Sequence, residues 1–400
     1  MTLTIGSRPA SAAQDSEVPL SLSLLGGPLH RLGSSIGLVR NSGNTVPLGI
    51  ALAVVAWSVL AVLALIEQAA SQIFSLAVIG GHVRLLLVIP LFFVCETLVD
   101  PRIQVFVNQL IRSQAVPLSE QARLRSDVMR IARLRDSPLP EAICLLLVVL
   151  MSLAAPALQM ALPGITAAYH AGDSPNPAPM TAMWYWSVCM PLFRFLALRW
   201  LWRLMLWIWL LWCLSRVRLS LVATHPDGAG GLGYLEVVHA EFSPLVFAIS
   251  AAAAATFAES IVAGTSALSN VYPNLMLLLL IDAVLFIAPL CILSSKMWQC
   301  RVAALQAYGD LASRYVSEFE KKWIPGTSGE EPLLGSPDLQ SLADLSSSFD
   351  NITRMRLIPA GPRLPLTLGV AALLPLLPLL LFEYPMADLA ERLFKMVFTL

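Results

Sequence analysis

Charge is what this sequence has least of. Of its 400 residues 13% are charged, about half the share of a soluble domain, while 57% are apolar and mean hydropathy is +0.72. Lysine is scarcest, with 4 residues against 22 arginines. Arginine in that excess suits sites that hold phosphate or carboxylate. The six cysteines (Cys95, Cys144, Cys189, Cys213, Cys291 and Cys300) form no C-x-x-C pair, and none falls in an expected external loop. That excludes a disulfide framework and a cysteine zinc site, leaving small apolar residues of the interior. No Ser–His–Asp arrangement, H-E-x-x-H helix, P-loop or Asp-rich phosphate motif is present, which weighs against an enzyme. An internal repeat of the kind many transporters show is missing too.

What the sequence does have is long apolar runs. A bilayer core about 30 Å thick takes about 20 apolar residues as a helix. Seven stretches fit: 47–67, 84–98, 141–162, 184–215, 244–264, 274–294 and 364–382. The second is short and carries Pro90, and the last carries Pro375 and Pro378 and should bend or re-enter. The fourth spans roughly 48 Å at 1.5 Å per residue and is either one long helix or two pieces. The fold class is all-α, a polytopic transmembrane helix bundle of about seven spans with small cytoplasmic helical elements.

Lys and Arg crowd two connections, 99–140 and 295–363, whereas 163–183 and 265–273 contain neither. The positive-inside bias then places the N-terminus in the cytoplasm and the C-terminus outside. The organisation is a disordered Ser/Gly/Pro-rich segment 1–46, a bundle 47–294 carrying the helical loop 99–140 and a Gly-rich loop 219–243, a cytoplasmic hairpin 295–363, and a last span with its tail at 364–400. The first span acts as an uncleaved anchor.

Within 296–323, Leu305, Tyr308, Ala312, Tyr315 and Phe319 recur at helical spacing. A second helix opening on Pro337, capped by Ser336, would offer Leu339, Leu342, Leu345, Phe349 and Ile352. Two such helices pack on each other or dock a partner. A third, 118–135, sets Leu124, Val128 and Ile131 against Arg123 and Arg130; it is either a product of the positive-inside bias or a contact for anionic lipid.

One loop stands apart: His225-Pro226-Asp227-Gly228-Ala229-Gly230-Gly231-Leu232-Gly233, with His239 and Glu241 close behind. Gly228, Gly230 and Gly233 fit G-x-G-x-x-G, but a Trp-rich membrane helix precedes them where a dinucleotide site needs a strand. His225-Pro226-Asp227 is the J-domain tripeptide without room for that domain. His225, Asp227, His239 and Glu241 are metal-binding residue types in no known ligand spacing, so no metal is assigned. The alternatives are a backbone anion cradle and a tight turn in which Asp227 caps.

The phrase HPDGAGGLGYL, with LGSPDLQSLADL at 334–345 and the proline-rich last span, resembles an uncharacterised family of bacterial multi-pass inner-membrane proteins over roughly residues 45–400. The resemblance implies a bacterial inner-membrane location and carries over no activity and no site residues.

Ionisable groups inside the bilayer are costly and point to function by default. Arg194, Arg199 and Arg203 lie in the fourth span with seven of the ten tryptophans; Glu259 lies in the fifth, Asp282 in the sixth and Glu96 near the inner end of the second. One reading pairs Arg194 or Arg199 with Glu259 and Asp282 along a polar path; the other has paired charges lock the bundle while Arg203 snorkels. Three functions follow. The first is an ion or small-solute channel or transporter using Arg194, Arg199, Glu259 and Asp282. The second is a membrane enzyme or a metal- or phosphate-binding protein working at the 225–241 loop. The third is a signalling or assembly scaffold. The expected partner is the lipid bilayer. Ala251–Ala255 suits close helix contact, including with further copies of the chain. No cofactor and no nucleic acid is expected.

Overall fold

The computed structural model describes residues 22–39, 43–161, 179–264, 268–324 and 337–382. Its helices are α1 Pro28–Ser35, α2 Val46–Ile66, α3 Ile79–Arg112, α4 Leu118–Asp136, α5 Pro138–Ala161, α6 Pro179–Arg216, α7 Tyr234–Ala240, α8 Ser243–Val262, α9 Leu268–Phe286, α10 Ser294–Trp323, α11 Pro337–Thr353 and α12 Arg363–Phe382. No strand occurs among the described residues. Many of these helices open on a proline in the first turn: Pro28, Pro47, Pro138, Pro179, Pro244 and Pro337. Proline costs nothing there, because the N–H it lacks would have had no partner in the helix.

Six helical stretches are long and apolar enough to cross a membrane, and a seventh arises when α4 and α5, bent by 47° at their junction, are taken as one. Their outward faces are apolar along their length. Val54, Val55, Leu65 and Ile66 of α2, Ile143, Leu146 and Leu150 of α5, and Met276, Leu280 and Val284 of α9 are all exposed. No water-soluble surface sustains so broad an apolar band. The protein is an integral membrane protein.

The expected spans hold in place and change in extent. The second, expected at 84–98, is the 34-residue α3, so 99–112 continues a helix where a loop was expected. Pro90 sits in its regular part, preceded by a π-helical turn at Val83–Val88. The fourth is one helix of 38 residues with a π turn at Tyr185–Cys189. The sixth runs on through a 3-10 turn at Ala288–Leu293 into α10. The last tightens into a 3-10 helix at Leu374–Phe382, where Pro375 and Pro378 deny it α-helical hydrogen bonds.

α8 is the hub. Its small residues Ala251, Ala254, Ala255 and Ala258 let α3 and α12 approach, the close helix contact expected of this alanine run. α4 likewise turns Leu124, Val128 and Ile131 into the bundle against α6 and leaves Arg123 and Arg130 exposed. α10 and α11 form the expected hairpin: Tyr315 donates to the Asp338 carbonyl at 3.0 Å and Lys322 pairs with the Asp338 carboxylate at 2.9 Å. Ser336, its expected cap, lies outside the described residues.

One expectation fails outright. The first 46 residues are not all unstructured: Leu22 and Leu24 are buried, and α1 docks on the bundle at its arginine-rich end. The other expectations for 1–21 fall outside the described residues.

Candidate functional site

The deepest charges of the bundle gather where α3, α5 and α6 meet. Glu96 stands on α3 and Arg199 and Arg203 on α6; all three side chains are at most 4% exposed. A single oxygen, Glu96 Oε1, accepts from Arg199 Nη1 at 2.6 Å and from Arg203 Nη1. Arg199 Nε reaches Glu141 of α5 at 3.2 Å, and Arg203 lies over the Trp200 ring at 5.7 Å. Spacing on α6 explains the pair: Arg199 and Arg203 are four apart and share a face.

The N-terminal segment closes this cluster. Asp100, one turn beyond Glu96, accepts from Leu24 N at 2.5 Å, Leu25 N at 3.2 Å and Ser23 Oγ at 2.9 Å, while Gln104 braces its other oxygen at 2.7 Å. Arg135 of α4 donates to the Ser23 carbonyl at 2.6 Å. Glu141 accepts from Leu29 N at 3.0 Å and so caps α1 from outside it. Gly27, at φ +89°, makes the entry to α1 in a conformation a side chain resists, with the Glu141 carboxylate against it. Among Glu96, Asp100, Glu141, Arg199 and Arg203 there is one negative charge in excess. Burial, then Arg203 and Arg199, hold His30 of α1 below its usual imidazole value against the pull of Glu96.

Three buried polar atoms here have no hydrogen-bond partner among the described residues: Glu96 Oε2, Arg203 Nη2 and His30 Nε2. His30 and Asp100 also line a cavity of about 550 Å³ with Ser23, Ser34, Thr97 and Gln104. Of the three, His30 reaches the cavity wall, where a polar cavity of that size has room for water.

A second polar site lies at the other end of the same two helices. Glu259 of α8 accepts from Gly80 N at 2.7 Å at the start of α3, and Arg84 reaches Glu259 at 3.6 Å, Tyr185 Oη at 2.8 Å and Thr256 Oγ1 at 2.7 Å. Gly80 permits this, since a Cβ there would come within 2.6 Å of the carboxylate. Both π turns fall here, and such turns mark places where a helix gives up regularity for a local task. Arg84 and Glu96 are about 18 Å apart along α3. Apolar packing fills the gap: Phe92 stacks on Phe193, and Trp200 Nε1 donates to the Phe92 carbonyl at 3.1 Å.

The four residues of the expected polar path are therefore not brought together. Arg199 is in the Glu96 cluster and Glu259 in the Arg84 cluster. Asp282 meets Ser250 at 3.4 Å, and Arg194 is half-buried with no ion pair among the described residues. Arg203 does not snorkel; it is buried against Glu96. Glu96 and Arg203 were flagged by their depth, whereas Arg84, Asp100, Glu141 and His30 were missed. Depth was the usable signal: counting turns inward from each end of α3 and α6 puts Glu96 level with Arg199.

The 225–241 loop also comes apart as a site. The Asp227 carboxylate accepts from Ala229 N (2.8 Å), Gly231 N (3.1 Å) and Gly233 N (2.8 Å), and His225 Nδ1 lies 2.8 Å from it. The anion cradle exists and the chain's own carboxylate fills it. Gly228, Gly230 and Gly231 all have positive φ, which lets those N–H groups converge. Arg356 clamps the loop through Gly228 O at 2.8 Å and Glu236 at 2.9 Å. His239 is buried elsewhere, taking a hydrogen bond from Trp207 Nε1 at 3.1 Å and giving one to the Phe286 carbonyl at 2.7 Å. Glu241 pairs with Arg102 at 3.1 Å. Both ring nitrogens of His239 are spent, and no group of metal-binding side chains forms among the described residues.

Burial raises the Asp227 pKa, but the three N–H groups and His225 outweigh it and leave it below the usual value of 3.8. A depressed folded pKa means this stabilisation is complete above 3.8 and lost as the pH falls through the folded value. Asp227→Ala should cost about 1–3 kcal/mol at neutral pH, from three orphaned donors, and should remove this group's share of the acid sensitivity. Melting curves of both proteins in detergent from pH 7 down to the acid limit test it; equal melting at neutral pH would refute the role.

Among known proteins, no family model, no curated protein and no solved structure matches this chain.

Proposed function

We propose that this membrane protein is a channel or transporter for an ion or small solute, captured closed, with its arginine-rich end in the cytoplasm of a bacterium. The observation that carries the reading is the set of orphaned buried atoms on Glu96, Arg203 and His30, the last of which lines a polar cavity. A cluster serving only to lock helices would satisfy its own groups, because each unpaired one costs free energy. Here solvent has room beneath a segment held mostly by hydrogen bonds. The path would run between α3 and α6, from the inner cluster to the Arg84–Tyr185–Glu259 site. In the closed form it is blocked by Phe92, Phe193 and Trp200 in the middle and by residues 22–35 at the inner mouth. The inward placement of this mouth rests on the Lys/Arg bias of the connections, and the bacterial location on the HPDGAGGLGYL resemblance.

Proteoliposomes loaded with a pH dye or with K⁺, Na⁺ or Cl⁻ reporters test the reading. Wild type should pass one of these ions above protein-free vesicles, removal of residues 1–35 should raise that flux, and Glu96→Gln should lower it. No flux from either the full-length or the shortened protein, both monodisperse, would overturn the reading.

A further inference from the structure

At the arginine-rich end, the chain leaving α6 and the first turns of α10 enclose a cavity of about 540 Å³. One wall is the segment 218–224. The other is a single face of α10, on which Lys296, Gln299, Cys300 and Tyr308 recur at helical spacing. The lining contains no Asp or Glu. Its two cations, Arg218 and Lys296, form no ion pair and no hydrogen bond among the described residues, unlike Arg199 and Arg203.

The facing segment adds donors. Ser220 N and Val222 N are spent on Ala115 O at 2.8 Å and Gly230 O at 3.3 Å, whereas the N–H groups of Leu219, Leu221 and Ala223 meet no acceptor among the described residues. A stretch bonded at alternate residues is paired along one edge and free along the other. Cys300 Sγ, in the cavity wall, contacts the Leu221 carbonyl at 3.4 Å, which puts the free edge on the cavity side. Unneutralised cations together with unspent amide and hydroxyl donors complement an anion with several oxygens.

The surroundings say where that anion comes from. Trp212, 47% exposed under the Arg216 guanidinium, and Trp298, 54% exposed, bracket the cavity in sequence. Exposed indole rings at the ends of membrane helices sit at headgroup level. We propose that this cavity binds a phosphate group, that of an anionic phospholipid, through Arg218, Lys296 and the free edge of 219–223. It is a different surface from that of α4, on which Arg123 and Arg130 are exposed.

Native mass spectrometry of the full-length protein, equilibrated with phosphatidylglycerol or with phosphatidylcholine, is the test. Wild type should keep phosphatidylglycerol under conditions that strip phosphatidylcholine. Arg218→Ala/Lys296→Ala should lose it, and the α4 pair Arg123→Ala/Arg130→Ala should keep it. Should the first pair melt early without lipid, Arg218→Gln/Lys296→Gln serves the same comparison. Retention unchanged in the pocket variants, or lost in the α4 pair alone, would overturn the site. If millimolar inorganic phosphate displaces the lipid and by itself raises the melting point, a free phosphate compound is the ligand and the lipid assignment falls.

Discussion

Glu96→Leu is expected to lower stability by about 3–5 kcal/mol, the cost of leaving buried charge without its partner. Glu96 Oε1 is where Arg199 and Arg203 both end. Arg199 keeps Glu141 and the Gly26 carbonyl when Glu96 is gone, but Arg203 keeps only the face of Trp200. A stacked ring contributes about 2 kcal/mol in a desolvated site, less than the lost carboxylate. Against a typical total of 5–15 kcal/mol the loss is large, and in a chain of this length it corresponds to roughly 4–6 °C of melting point. Glu96→Leu/Arg203→Leu should recover most of it, because a buried pair replaced on both sides by apolar residues is often neutral. Thermal unfolding in one detergent compares the three; a Glu96→Leu protein that melts with wild type would show that the pair contributes nothing. The double variant also separates the two roles of the cluster. If it folds and its flux equals wild type, Glu96 and Arg203 only hold helices together.

The spans and their order were legible because twenty apolar residues in a row have few other fates, and the α10–α11 hairpin because its two apolar stripes are each other's natural cover. The pairings of the charges were not. Glu259, an isolated acid in an apolar helix, reads as part of a path; in the fold it caps the start of α3, 179 residues away in sequence. Glu67 does the same for α6 through Met180 N and Thr181 N, and Glu141 for α1. A helix N-terminus that needs an acceptor is visible in sequence only when its own neighbours supply one; here a distant helix does. The π turns escaped for a related reason, since one residue inserted in a turn leaves the apolar composition unchanged. The Asp227 turn was readable because its donors are two to six residues away. The N-terminal segment was misread because Ser, Gly and Pro lower the odds of order only when nothing offers them partners. Asp100, Arg135 and Glu141 do, from positions 75 to 112 residues along the chain.

Those distant partners give the second large effect. Asp100→Ala should free the N-terminal segment without unfolding the bundle. The carboxylate takes three hydrogen bonds from Ser23, Leu24 and Leu25, and bonds to a charged group contribute about 1.5–3 kcal/mol each, less than additively when they share one acceptor. A net loss of about 3 kcal/mol would raise the opened fraction roughly a hundredfold. Leu24, 4% exposed, reports it: in a Leu24→Cys protein, maleimide reaches the thiol only while the segment is out. The labelling rate should rise about a hundredfold when Asp100→Ala is added, and stay unchanged with Ser35→Ala on the exposed side of α1. An equal rate in both would mean that Asp100 does not anchor the segment. Flux measured on the same proteins then bears on the gate itself. Faster labelling with faster flux ties release of the N-terminal segment to conduction, and faster labelling with unchanged flux leaves Asp100 as an anchor on a segment that gates nothing.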